Sequence, residues 1–231
     1  VLVDGRTIHS ERHVYWLVNK PRGYLCTNRD PAGRSRAVDL LPHVPERVYT
    51  VGRLDEDSEG LLLLTNDGDL AHRLMHPRFG VDKTYLVQVA GLPTRADVQK
   101  LLEGVFLSEG RVRAKSAKKL KTQGRSAWLR IVLSEGKNRE IRRMLALFEH
   151  KVVRLIRVGL GPVQLGRLKA GRARPVSSQE LRQLRQIVER SGAKSAASPE
   201  NPLAKARGSP IRYEHRIVGS HAVRGREEID N

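Results

Sequence analysis

The sequence predicts an α+β fold: a mixed, largely antiparallel sheet flanked by helices, with a disordered C-terminal tail. Three observations point there. Segments of strand-like alternation outnumber segments of helical periodicity. The two kinds do not follow the strict strand–helix–strand rhythm of a parallel α/β protein. Large apolar residues become sparse near Ser191, where Ala-Ala-Ser-Pro, Asn-Pro and Gly-Ser-Pro take over.

Taken in order, Val14 to Val18 reads as a strand, stopped by Lys20-Pro21-Arg22-Gly23. Val48 to Val51 is a second strand. A polar bend from Arg53 to Gly60 leads into Leu61 to Thr65, an apolar run of the kind that forms a fully buried strand. Asn66-Asp67-Gly68 turns the chain into a helix with apolar positions Leu70, Ala71, Leu74 and Met75, ended by Pro77. Tyr85, Val87 and Val89 alternate on one strand face, and Leu129, Ile131 and Leu133 on another. Ile141, Met144, Leu145 and Phe148 fall at helical spacing and make one apolar stripe, with Arg139, Arg142 and Arg143 largely off it. Ser177 and Glu180 have capping-box spacing ahead of Leu181, Leu184, Ile187 and Val188. The sequence has no internal repeat.

Charge narrows the function. The 231 residues carry 43 Lys and Arg against 25 Asp and Glu, a net charge of +18. Such an excess implies a polyanionic partner, because clustered cations gain affinity by releasing counterions from phosphates. Eight basic residues between Arg111 and Arg130 have no acidic neighbour among them. A membrane surface is the competing polyanion, but no stretch joins a strong apolar face to a basic one. The longest apolar run, Leu61 to Leu64, is too short to span a bilayer, and no charged-then-apolar leader opens the chain. The single cysteine, Cys26, excludes an intramolecular disulfide and a thiolate-rich zinc site. The expectation is a soluble, cytoplasmic protein that binds nucleic acid. The last 41 residues hold seven basic and five acidic side chains, so the positive excess belongs to the folded part.

Familiar catalytic signatures have little support. His72 and His76 have helical ligand spacing, but no third ligand accompanies them, and a helix-end pair is the simpler reading. Gly159-Leu160-Gly161-Pro162 lacks the residues of a nucleotide or dinucleotide loop. What remains is the bend Gly52-Arg53-Leu54-Asp55-Glu56-Asp57-Ser58-Glu59-Gly60, with four carboxylates in five residues. It reads either as a solvated acidic loop or as a carboxylate held at the sheet edge beside cations, which would keep it an ionised nucleophile. Spacing alone does not select which aspartate.

Gly52-Arg53-Leu54-Asp55, continuing through Gly60-Leu61-Leu62-Leu63-Leu64-Thr65-Asn66-Asp67-Gly68, resembles the catalytic motif of bacterial ribosomal RNA pseudouridine synthases. The branch is that of the small-subunit synthase A family with its large-subunit relatives B, E and F, and B is the most similar. Asn19-Lys20-Pro21-Arg22-Gly23, Lys83-Thr84-Tyr85, the run Glu135 to Met144, and Leu155-Ile156-Arg157-Val158 with Gly159-Leu160-Gly161-Pro162 agree in order. The likeness covers roughly residues 8–185.

The resemblance implies roles. Asp55 matches the aspartate that attacks the target uridine, at the anomeric carbon of the ribose or at carbon 6 of uracil. The base then detaches, turns and rejoins through carbon 5. Tyr85 matches the tyrosine that packs on the target base and is implicated in proton removal from carbon 5, although core packing beside Val87 and Val89 also accounts for it. Lys137 falls where relatives place the cation paired to the aspartate, and Ile141 at the apolar wall of the uracil pocket. Arg139, Arg142 and Arg143 are expected on the RNA, and Arg53 and Lys20 are expected as substrate-site supports. An isomerisation of this kind implies no cofactor and no metal.

The resemblance also sets the expected organisation. Residues 1–8 are a remnant or link of an N-terminal RNA-binding domain found in relatives, 9–190 the catalytic domain and 191–231 the low-complexity tail. Val1 is not an initiator methionine, which fits a fragment. The expected protein is a monomer that acts on ribosomal RNA or a pre-ribosomal particle, with a large-subunit target preferred over a small-subunit one. The alternative from another class is a ribosome-assembly protein that binds RNA without catalysis. Such a binder has no need of Asp55, Tyr85 and Lys137 together.

Overall fold

The computed structural model describes residues 2–3, 6–7, 11–41 and 44–196, the first four and 192–196 by backbone alone. Strands β1 (Leu2–Val3) and β2 (Arg6–Thr7) form a short antiparallel ladder, Leu2 opposite Thr7 and Val3 opposite Arg6. The rest is organised by a nine-stranded sheet. Its first members are β3 (Tyr15–Lys20), β4 (Tyr49–Val51) and β5 (Glu59–Thr65). The apolar run of β5 is central: Leu61 to Leu64 are fully buried, as expected for a strand covered on both faces. Leu61 and Leu63 pack with Leu17, Leu70 and Leu74, while Leu62 and Leu64 pack with Val18, Ala37 and Val48 on the other side.

Helix α1 (Gly68–Met75) starts where Asp67 caps it, its carboxylate accepting from Leu70 N at 3.0 Å. Leu70, Ala71 and Leu74 are buried, but Met75 is 42% exposed. The expected fourth apolar position therefore faces away from the core, and its side chain lines the cavity described below. His76 closes α1 and its Nδ1 accepts from Arg78 N, a turn-capping role for one of the two spaced histidines.

The other half of the sheet comes from β6 (Lys83–Ala90), β9 (Ser116–Gln123), β10 (Ser126–Leu133) and β11 (Val152–Leu160). Between β6 and β9 lie α2 (Arg95–Glu103) and a small hairpin, β7 (Val105–Leu107) with β8 (Gly110–Val112). Helix α3 (Glu140–Ala146) precedes β11, which is followed by β12 (Val163–Gln164) and β13 (Ala173–Pro175). The spatial order is β13-β3-β5-β11-β6-β10-β9, with β4 beside β5 and β12 beside β11. Every pairing is antiparallel except β5 with β11. The mixed, largely antiparallel sheet is as the sequence predicted. Val87, Val89, Leu129 and Ile131 form the second core with Ile141, Met144 and Leu145 of α3.

Some differences have local causes. β3 runs on to Lys20 because it pairs with β5 along its whole length, from Tyr15 opposite Thr65 to Lys20 opposite Gly60. Helix α2 is absent from the sequence reading, although Thr94 and Asp97 cap it reciprocally at 3.1 and 2.8 Å. Its single fully buried apolar residue, Leu101, leaves it with a weak stripe. Helix α4 (Ser178–Ala196) has the predicted capping box, Glu180 N to Ser177 Oγ at 3.2 Å and Ser177 N to Glu180 Oε2 at 2.9 Å, with Leu184 and Val188 buried. The helix passes the compositional boundary at Ser191, and residues 197–231 lie outside the described residues. Among the described residues no helix is long and apolar enough to cross a membrane.

The end of α4 carries a pH prediction. Arg174 grips the Glu180 carboxylate with two hydrogen bonds of 2.8 and 2.6 Å and pulls its pKa from 4.5 to about 2. A depressed carboxylate pKa contributes stability above the unfolded value that is lost as pH falls through the folded one. Glu180→Gln should therefore narrow its stability deficit against the parent between pH 4.5 and about 2 in acid unfolding followed by circular dichroism. A deficit constant across that window would refute the linkage.

Candidate active site

The polar bend between β4 and β5 is not a free loop. Leu54 is buried in the second core, and its N–H points to Cys26 Sγ at 3.3 Å. Ser58, 1% exposed, donates its N–H to Asp55 O at 3.0 Å and closes a tight turn. The Glu56 carbonyl accepts from Gly23 N at 2.9 Å and from Lys20 Nζ at 3.3 Å. Lys20 is wholly buried and also donates to the carbonyls of Pro21 and Tyr24. Burial pushes its pKa down, against the opposing charges of the bend carboxylates. The sequence placed Lys20 with the substrate site as a support. Its side chain has no exposed surface and touches the site only through the backbone carbonyls it holds on both sides of the bend.

This frame presents Asp55 at the rim of a cavity of about 540 Å³, a size that takes a small ligand or one extruded base. Asp55 is half-buried; the exposed Arg53 lines the cavity as well, and so do Tyr85, Ile141, Leu155 and Arg157. Tyr85 is 8% exposed and belongs to the core, so its packing role and its place in the cavity wall hold together. Ile141, 4% exposed, likewise serves both the α3 stripe and the cavity.

The cation beside the aspartate is Arg139, not Lys137. Arg139 Nη1 lies 3.5 Å from Asp55 Oδ2, and the same guanidinium bonds both oxygens of Asp57 at 3.3 and 3.2 Å. The Lys137 amine lies 3.5 Å from Glu135 instead, although its residue lines the cavity. The physical reason is the entry into α3. Arg139 sits at the N-cap in the left-handed region, φ 46°, a costly conformation for a residue with a Cβ. That conformation leaves Glu140 as the buried first residue of α3, its carboxylate accepting Lys137 N at 2.9 Å. A turn closed by Glu140 N on the Lys137 carbonyl at 3.3 Å thus separates the two cations, which linear spacing does not reveal.

A second arginine reinforces the pair. Arg142 reaches Asp57 Oδ2 at 3.1 Å, the Asp57 carbonyl at 3.3 Å and Ser58 Oγ at 3.4 Å. Burial works against the Asp57 carboxylate, but the hydrogen bond from Arg139 and the charge of Arg142 outweigh it and hold its pKa below the ordinary value. Asp57 is therefore an anchor for the two arginines, and Asp55, not Asp57, is the aspartate that lines the cavity. Arg143 points to Glu109 at the β7–β8 turn, 2.7 Å away, and does not line the cavity.

Residues that sequence reasoning did not assign also line the cavity. Lys83 is two residues from Tyr85 on the same strand face, and burial, then the charge of Arg157, lowers its pKa. Glu140 is buried and its pKa is raised by that burial. Lys83 was visible within the Lys83-Thr84-Tyr85 segment, but no local pattern marked it as half-buried in the cavity wall or Glu140 as a buried charge.

Comparison with known proteins gives a consistent picture. The family model for RNA pseudouridylate synthase matches residues 14–147. The chain is 38% identical over 189 residues to a protein of Bacillus subtilis named ribosomal large subunit pseudouridine synthase B, covering 81% of this chain and 78% of that one. It is 38% identical over 184 residues to a Xanthomonas campestris protein named ribosomal large subunit pseudouridine synthase E, covering 73% of this chain and 98% of that one. A crystal structure of a pseudouridylate synthase superposes with a TM-score of 0.68 at 32% identity, over 76% of this chain and 75% of that one.

Proposed function

The chain belongs to the RNA pseudouridylate synthase family, and we propose that it isomerises one uridine of large-subunit ribosomal RNA to pseudouridine with Asp55 as nucleophile. It is an RNA-modifying enzyme, and the relatives named for synthases B and E support the large-subunit target. The observation that carries the site assignment is the Asp55 carboxylate at the cavity rim, 3.5 Å from Arg139, with Tyr85 and Ile141 in the wall below it.

The target base has to leave its stack to enter the cavity, at a cost of a few kcal/mol. Tyr85 and Ile141 offer the apolar faces that receive it, and the basic surface offsets the cost through phosphates. Asp55 then attacks the nucleoside, at the anomeric carbon or at carbon 6. In either route the glycosidic bond to nitrogen breaks, the base turns within the cavity, and carbon 5 forms the new bond while the carboxylate is released. The carbon-5 proton leaves to a base, the role assigned to Tyr85. Arg139 keeps the carboxylate oriented, and Asp57 keeps Arg139 in place. Action in the cytoplasm as a monomer, on ribosomal RNA or an assembly intermediate, completes the proposal.

Tritium release from carbon-5-labelled uridine tests the reaction, with large-subunit and small-subunit ribosomal RNA as parallel substrates. Release from the large-subunit RNA alone is the expected result. Binding without release from either RNA would favour the non-catalytic assembly protein. Affinity should also fall steeply with salt, with log Kd rising roughly in proportion to log salt, since several phosphates are neutralised; a flat response would remove the polyanion argument.

The two cations near Asp55 can be separated. Arg139→Ala should lower kcat by about 100-fold, because Asp55 loses its charged partner and the tie to Asp57. Lys137→Ala should cost less than about threefold, its amine being paired with Glu135. The reverse order would restore Lys137 as the partner of the aspartate.

A further inference from the structure

Tyr85 and Arg157 lie opposite one another across β6 and β11, and both line the cavity. Arg157 is 2% exposed. Its Nε donates to the Leu61 carbonyl at 2.7 Å, which ties the guanidinium to β5. One terminal nitrogen, Nη2, is buried and has no hydrogen-bond partner among the described residues. A buried cation with an unspent donor is unfavourable beside an apolar side chain of similar length. Packing therefore does not account for an arginine here, and the hydrogen bond to the Leu61 carbonyl does not need a charge.

Its neighbour does. Burial pushes the phenol pKa of Tyr85 up, while the charge of Arg157 and hydrogen bonding to it pull the other way. Glu140 from α3 and Asp55 from the bend push it up as well. Lys83, on the same face of β6, faces Arg157 and Glu140. Among these groups Arg157 is the cation directly paired with Tyr85 in the sheet register.

We propose that Arg157 is a positioning residue for the isomerisation, holding the Tyr85 phenol on the cavity floor and favouring negative charge on its oxygen. This rests on the reading of Tyr85 as the residue that packs on the target base. A residue that only braces the β5–β11 junction would affect every variant alike. One that works through the Tyr85 hydroxyl loses its effect once that hydroxyl is gone.

The test is a double-mutant cycle in the full chain. Arg157→Lys should lower kcat by about tenfold or more with KM within about threefold, and in a Tyr85→Phe background it should cost less than about twofold. An equal loss in both backgrounds overturns the proposal. A second measurement needs no turnover: tyrosines labelled at carbon ζ are titrated by NMR, with the Tyr85 signal assigned by its loss in Tyr85→Phe. Arg157→Gln should raise the ionisation midpoint of Tyr85, and an unchanged midpoint overturns the proposal. Should that variant fail to fold, Arg157→Lys takes its place, with a rise again expected. If the parent chain releases no tritium, the proposed isomerase activity falls, and the titration alone still decides whether Arg157 acts on Tyr85.

Discussion

Replacing Asp55 by Asn is expected to abolish pseudouridine formation while RNA binding persists. The substitution is nearly isosteric and leaves the bend intact, because Lys20, Gly23 and Ser58 hold it through backbone groups. Arg139 keeps its two bonds to Asp57. What is lost is the nucleophile, since an amide oxygen neither carries the charge nor leaves as a carboxylate. A fall in kcat of roughly 10,000-fold or more is the expected scale for removal of a covalent nucleophile. Removing a negative charge from a cavity meant for RNA should hold Kd steady or tighten it. Tritium release and electrophoretic binding on the same preparation read both quantities. Turnover within a factor of 100 of the parent would reject Asp55 as nucleophile, and a matched loss with Asp57→Asn would transfer the role to its neighbour.

Gly60→Ala is expected to be the most damaging single change to the fold near the site. Gly60 has φ +106°, a region open to glycine and strained for any residue with a Cβ. A Cβ there would lie 2.2 Å from the Arg157 carbonyl oxygen and 2.7 Å from its nitrogen. Both are backbone atoms at the one parallel junction of the sheet, where only Ile156–Glu59 and Arg157–Gly60 are in register between β11 and β5. Relief requires the strands to part, which would also release Glu59 and the end of the bend. A loss of about 3 kcal/mol or more, seen as a fall in Tm of roughly 10 °C, is expected. Gly33→Ala is the control: φ is +68° but nothing lies within 4 Å of the added Cβ, so it should cost only about 1–2 kcal/mol. Equal losses would mean that backbone strain alone, and not the close approach of β11, makes Gly60 indispensable.

Much of this site was legible in the chain before folding. Asp55, Tyr85, Ile141, Arg53 and Arg139 were all singled out, and all line one cavity. They were legible because each sits in a short segment whose residue order is distinctive. What those segments do not carry is direction. Lys137 and Arg139 are two residues apart and equally cationic, and the left-handed turn at Arg139 decides which of them reaches the carboxylate. Arg142 and Arg143 are adjacent, yet the helix sends one to Asp57 and the other to Glu109. Lys20 was expected as a support of the site, but nothing in the chain showed that the β3–β5 ladder would bury it completely.

Composition and pattern by themselves determined the polyanionic partner, the mixed sheet, the buried centre strand, the two capped helices α1 and α4, and the acidic bend that lines the cavity. These follow from local physics: alternation, capping and charge density are properties of neighbours in the chain. Only the tertiary structure decided which cation faces Asp55, which aspartate anchors the arginines and which lines the cavity, and that Arg157 lies buried opposite Tyr85. Those are contacts between segments tens of residues apart. Their outcome depends on strand register and on single backbone angles at Gly60 and Arg139, which no local pattern encodes.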